Sequence, residues 1–153
     1  MKRLIFCFDG SWNKLDAPYS TNVVLTAESV IPFTENGIAQ LIYYDQGVGT
    51  RWYDKWIGGI FGAGLLNNLI EAYRFLIFNY RPGDEIYIFG FSRGAYSARS
   101  FAGLLRQSGI INRRKASRIT KAIRNYKASG TDLKKVEDMR SRFRQECAEV
   151  NGL

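Results

Sequence analysis

Histidine does not occur once in these 153 residues, so no imidazole in the chain can act as the general base that a serine nucleophile ordinarily uses. Cysteine is nearly as scarce. Cys7 falls in a strand-like run and Cys147 in a helix-like one, a pair better suited to apolar packing than to a disulfide framework or a metal site. Neither metal nor cofactor is expected, and this cysteine usage points to a reducing, cytoplasmic folding environment. Long apolar runs are missing too. Lys2 and Arg3 precede only Leu4 to Phe8 before Asp9 intervenes, too short for a signal-peptide core, and nothing approaches the roughly 20 apolar residues that span a bilayer. Acidic residues are scarce in the last third. Residues 106 to 144 hold 13 Lys/Arg against 3 Asp/Glu, and the remainder holds 9 against 11, so the net charge of +8 belongs to that third.

What is present fits one globular domain: 46% of the residues are hydrophobic and 14% aromatic, and a chain of this length buries roughly 68–70% of its unfolded surface. The expected division is a sheet core over residues 1–110 followed by basic amphipathic helices over 111–153. The basic segment suits an anionic membrane surface as partner. A solvated helix exterior is the plainer reading, and nucleic acid is not expected because no recognised nucleic-acid motif accompanies the charge.

Three strand-like runs, Arg3 to Phe8, Gln40 to Tyr44 and Glu85 to Phe89, alternate with helical runs, the pattern of a parallel sheet covered on both faces. Helices are expected over Asn22 to Ile31 with Val23, Ala27, Val30 and Ile31 inward, and over Gly64 to Tyr80 with Leu66, Leu69, Tyr73 and Leu76 inward. A third, Arg93 to Gln107, is expected to bury Ala95, Ala98, Ala102 and Leu105 and to be capped by Gly109. Two more follow, Arg113 to Ala128 and Asp132 to Val150, with Ser129 to Asp132 as the turn between them. In such sheets ligands bind beyond the carboxyl ends of the strands, so the loops after all three strands should share one crevice.

The third of those loops carries the strongest motif. Gly90-Phe91-Ser92-Arg93-Gly94 follows a strand-like run and opens a small-residue helix, the context of a nucleophile elbow, in which a strained turn lifts the serine hydroxyl off the sheet. Ser92 would attack an acyl carbonyl while the Arg93 N–H donates to the oxyanion. A second donor would come from Asp9-Gly10-Ser11, where glycine permits close backbone approach, although Asp-Gly more commonly caps its own turn. Asp9, Asp45 and Arg99 are candidate substrate contacts. Arg93 and Arg99 suit a phosphate head group, or else pair with Asp9 or Asp45. The glycines of Gly47-Val48-Gly49 and Gly62-Ala63-Gly64 complete no phosphate-binding fingerprint.

Taken together, Phe8 to Asn13, Thr21-Asn22-Val23, Tyr44 to Thr50, Pro82 to Tyr87 and Gly90 to Arg99 resemble the α/β-hydrolase family that includes the catalytic domains of type VI secretion phospholipase effectors. The resemblance is clearest from residue 3 to about 110. It implies a partial α/β-hydrolase-like three-layer sandwich with a mainly parallel sheet, Ser92 as nucleophile, hydrolysis of lipid or other ester substrates, and delivery to another cell by a secretion system. The family's next block resembles Phe-Leu-Gly-Val-Trp-Asp-Thr-Val and precedes its histidine. This sequence stops at Asn151-Gly152-Leu153, so it reads as the nucleophile-bearing, N-terminal part of a hydrolase, with a second polypeptide as the expected source of acid and base. The alternative is a non-catalytic interaction module that binds a protein or an anionic surface.

Overall fold

A computed structural model of the chain describes residues 1–10, 19–47, 63–127 and 133–148. Three parallel strands, β1 (Arg3–Phe8), β2 (Gln40–Asp45) and β3 (Glu85–Gly90), form a sheet in the order β2-β1-β3. The register pairs Phe8 with both Asp45 and Gly90, so all three strands end at one level. β1 lies between the other two, and residues Leu4 to Phe8 are buried.

Alternation along β1 divides its apolar residues between two faces. Leu4, Phe6 and Phe8 join the main core with α2 (Ala63–Asn79), α3 (Arg93–Ser108), α4 (Ile119–Lys127) and Phe143 of α5 (Leu133–Ala148). Ile5 and Cys7 meet Val23 of α1 (Asn22–Ser29) on the other face. Phe6 is the hinge of the main core, with ring centroids 4.7 Å from Phe101 and 5.7 Å from both Tyr43 and Phe75. The result is a three-layer α/β arrangement, but the layers are unequal. α1 covers only part of its face, and Tyr87 and Phe89 of β3 remain 40% and 41% exposed there.

Several details depart from expectation. The buried stripe of α3 is Gly94, Ser97, Phe101 and Leu104, with Ala102 exposed and Ala95, Ala98 and Leu105 half-buried. The helix is rotated by about one position because Gly94 must face the end of β1. α1 stops at Ser29 and buries Val23 and Val24, which leaves Ile31 exposed. The helix expected from Arg113 begins instead as a 3₁₀ turn, Arg113–Arg118, capped by Asn112 Oδ1 accepting from the Arg114 N–H at 2.9 Å. Lys115, at φ −109 and ψ 23, interrupts the ladder before α4. Gly109 caps α3 with φ 68. The expected turn at Ser129 to Asp132 lies outside the described residues, as does the loop from Val48 to Gly62.

Among the described residues no helix is long and apolar enough to cross a membrane, and no cluster of His, Cys, Asp or Glu could hold a metal ion. Burial pushes the Cys7 thiol up to about 11, with the nearby Asp9 charge adding to it, so this cysteine stays protonated and unreactive at neutral pH.

Candidate functional site

The helices that follow β1 and β3 in the chain lie on opposite faces of the sheet. α1 packs against Ile5 and Cys7 on one face, and β3 leads directly into α3 on the other. In open α/β sheets, adjacent strands followed by helices on opposite faces mark where ligands bind beyond the carboxyl ends. Ser92 lies at the carboxyl end of β3.

Ser92 is the N-cap of α3, with φ 54 and ψ −124, and among the described residues no other non-glycine residue has a positive φ. A backbone held there costs about 1–3 kcal/mol and persists only where the surroundings enforce it. The side chain makes no capping hydrogen bond and is exposed. Two glycines enforce the turn. A Cβ on Gly94 would lie 2.1 Å from the Phe8 carbonyl oxygen and 2.5 Å from that of Asp9, and one on Gly90 would lie 2.6 Å from the Gly94 oxygen and 2.8 Å from the Ala98 Cβ. The Phe91 N–H donates to the Phe8 oxygen at 3.1 Å, locking the turn to the end of β1. The Gly94 and Ala95 N–H groups donate to the Phe91 and Ser92 oxygens, while the Arg93 N–H has no described acceptor. One donor therefore remains open beside the serine.

Asp9 is fully buried beneath this turn. Its carboxylate accepts from the Gly10 N–H at 2.7 Å, the Thr21 hydroxyl at 2.7 Å and the Tyr44 hydroxyl at 2.8 Å. Thr21 Oγ1 also accepts from the Val24 N–H at 3.2 Å, so one hydroxyl caps α1 and ties it to β1. Through its backbone Asp9 donates to the Asp45 oxygen at 2.9 Å. Gly47, at φ 80, lies so close that a Cβ there would come within 2.7 Å of the Asp9 oxygen. Asp9 thus joins three strand-end segments into one floor. Burial, followed by the hydrogen bond to Asp9, pushes the Tyr44 phenol well above its usual range, so it remains a donor.

Asp9, Gly10, Asp45, Ser92 and Arg93 thus come together at the strand ends, whereas Arg99 does not. Gly10 spends its N–H on the Asp9 carboxylate, and Ser11 lies outside the described residues. Asp45 accepts from the Gly47 N–H at 3.0 Å and from Asn68 Nδ2 at 2.6 Å. Burial raises its pKa against those two hydrogen bonds, which lower it. Arg99 is exposed on α3 seven residues beyond Ser92, about 10 Å along the axis. Neither it nor Arg93 has an ion-pair partner among the described residues. Sequence reasoning gave no role to Thr21, Tyr44 or Gly47 as supports of Asp9. Their only signal was membership in the Thr21-Asn22-Val23 and Tyr44 to Thr50 blocks.

Residues 2–151 match the family described as the type VI secretion system phospholipase effector Tle1-like catalytic domain. The chain belongs to that family. It is also 32% identical over 129 residues to an uncharacterised protein of Saccharomyces cerevisiae, an overlap of 73% of this chain and 18% of that relative. The chain thus spans under a fifth of the curated relative's length. No solved structure matches it significantly. For a Tle1-like catalytic domain, the region of interest is where the strained Ser92 turn packs on the end of β1 above buried Asp9.

Proposed function

We propose that this chain carries the nucleophile of a serine ester hydrolase of the α/β-hydrolase type that acts on lipid-like substrates, with Ser92 as the attacking group. The observation that carries the reading is the positive φ of Ser92, held between Gly90 and Gly94 at the carboxyl end of β3. A non-glycine residue kept in that conformation with no capping duty marks a functional turn. Membership in a phospholipase-effector family supports lipid esters as the substrate class.

In this reading the Ser92 oxygen attacks the ester carbonyl and the Arg93 N–H donates to the developing oxyanion. With the Gly10 N–H held by Asp9, the carboxylate acts as a structural anchor rather than a substrate contact. The 153 residues contain no histidine, so an imidazole base would come from polypeptide outside them, as would the acid that orients it. Among the described residues β3 is an edge strand with Tyr87 and Phe89 exposed on its α1 face, and that edge is where such polypeptide would add to the sheet.

Imidazole in solution can stand in for the missing base. Hydrolysis of a p-nitrophenyl ester is measured for the chain and for Ser92→Ala, with and without added imidazole. Without it the two should differ little. With it, the chain should exceed Ser92→Ala and carry an alkyl fluorophosphonate adduct on Ser92 by mass spectrometry. Equal rates in both conditions with no adduct would overturn the nucleophile assignment. A large Ser92-dependent rate without imidazole would overturn the missing-base reading.

A further inference from the structure

The opposite end of the sheet from Ser92 holds a second site. Where β1 and β3 begin, the last turns of α2 and α3 and the start of the 3₁₀ turn line a half-open cavity of about 730 Å³, within the usual size range for small-molecule sites. Its described wall carries four cations, Lys2, Arg81, Arg113 and Arg144, and no carboxylate. Phe78, 54% exposed at the rim, and the half-buried Ile110 supply apolar surface.

The charges there are only partly accounted for. Lys2 pairs with Asp84, and Arg144 pairs with Glu137 at 2.7 Å while donating to the Arg106 carbonyl at 3.2 Å. The C-termini of α2 and α3 each contribute about half a negative charge to this end, which offsets roughly one further cation. A surplus of about one positive charge remains. Arg81 and Arg113 are both exposed and have no ion-pair partner among the described residues. Two unpaired guanidinium forks beside an apolar wall suit a ligand with an oxyanion at one end and hydrocarbon at the other.

We propose that this cavity binds an amphiphilic phosphate, its head held by Arg81 and Arg113 and its apolar chain laid on Phe78 and Ile110. The site lies at the far end of the strands from Ser92 and does not depend on the reading of that residue.

The test is calorimetric titration of the full chain with decyl phosphate below its micellar concentration, with inorganic phosphate, and with decanol. Decyl phosphate should bind at least tenfold more tightly than either control, and more weakly as salt is added. The double variant Arg81→Gln, Arg113→Gln should weaken it at least tenfold, as should Phe78→Ser. Ser92→Ala should not alter it. All three substituted side chains of the cavity are exposed, so circular dichroism should show the fold retained. Inorganic phosphate binding as tightly as decyl phosphate would reduce the site to a bare-anion patch and overturn the amphiphile. Decanol binding equally well, or a double variant with unchanged affinity, would overturn the role of the arginines.

Discussion

Replacing Gly94 by alanine sets two physical effects against each other. Gly94 lies in the first turn of α3, and by helix propensity alone the substitution should stabilise the chain by about 1 kcal/mol. Packing predicts the reverse. The new Cβ would sit 2.1 Å from the Phe8 oxygen, 2.5 Å from the Phe8 carbonyl carbon and 2.5 Å from the Asp9 oxygen. All three are backbone atoms of the central strand and its end, so no rotamer change relieves the clash. The start of α3 must retreat by roughly 1 Å in an interior packed as densely as an organic crystal. Overpacking costs about 1–3 kcal/mol, and a backbone obstacle places this site at the upper end. The Phe91 N–H to Phe8 hydrogen bond is lost as well, at about 1 kcal/mol. Less the propensity gain, Gly94→Ala should cost about 3 kcal/mol, or a fall of about 6–12 °C in Tm for a chain of this size. Gly103→Ala is the control, since its Cβ would meet only the Tyr126 side chain at 3.2 Å, and it should stay within about 1 kcal/mol of the wild type. Urea and thermal denaturation followed by circular dichroism measure both. A Gly94→Ala chain as stable as the wild type, or more so, would refute the close approach of α3 to β1.

Ser92→Gly should raise stability by about 1 kcal/mol, because it releases strain of about 1–3 kcal/mol at φ 54 against a smaller gain in unfolded-chain entropy; Ser92→Ala should bring no such gain, and a less stable glycine variant in urea denaturation would argue against strain. Asp9→Ala should cost at least about 3 kcal/mol, since it strands the Gly10 N–H and the Thr21 and Tyr44 hydroxyls. Asp9→Asn should cost about 1 kcal/mol, because the two hydroxyls can turn to accept from the carboxamide; equal losses for the two variants in the same assay would contradict the hydrogen-bond account. For Asp84, burial alone would raise the carboxyl pKa, but hydrogen bonds from the Lys2 ammonium, the Arg81 N–H and the Lys2 N–H outweigh it and hold the group below its ordinary range. Such a carboxyl contributes stability above its unfolded pKa of about 3.9 and loses it as the pH falls through the lower folded value. Asp84→Asn should therefore be less stable than the wild type at neutral pH, with the gap closing below about pH 4; a gap independent of pH would exclude the ionised carboxylate as its source.

The strands, the alternation of elements and the family were legible in the residues. Apolar runs at Leu4 to Phe8 and Ile86 to Phe89, bounded by Asp9-Gly10 and Gly90, read as strands; β1, buried on both faces, must be apolar throughout, whereas β3 keeps Tyr87 and Phe89 partly exposed. The glycines of Gly90-Phe91-Ser92-Arg93-Gly94 specify a tight turn because only glycine lacks the Cβ that the turn would crush. The absence of histidine is likewise a property of the sequence alone. Tertiary structure decided the rest. The phase of α3 could not be taken from its apolar spacing, because alanines at 95, 98 and 102 offer as good a stripe as Gly94, Ser97 and Phe101, and only contact with the end of β1 selects the second. Asp9 read as a turn-capping residue or a substrate contact. It does accept from the Gly10 N–H of its own turn, but Thr21 and Tyr44, which also donate to it, lie 12 and 35 residues away and meet it only when α1 and β2 close around β1. The cationic cavity is likewise assembled from Lys2, Arg81, Arg113 and Arg144, which share no local pattern. Local periodicity fixes what each segment becomes, whereas long-range packing fixes which of its faces and which of its polar atoms are used.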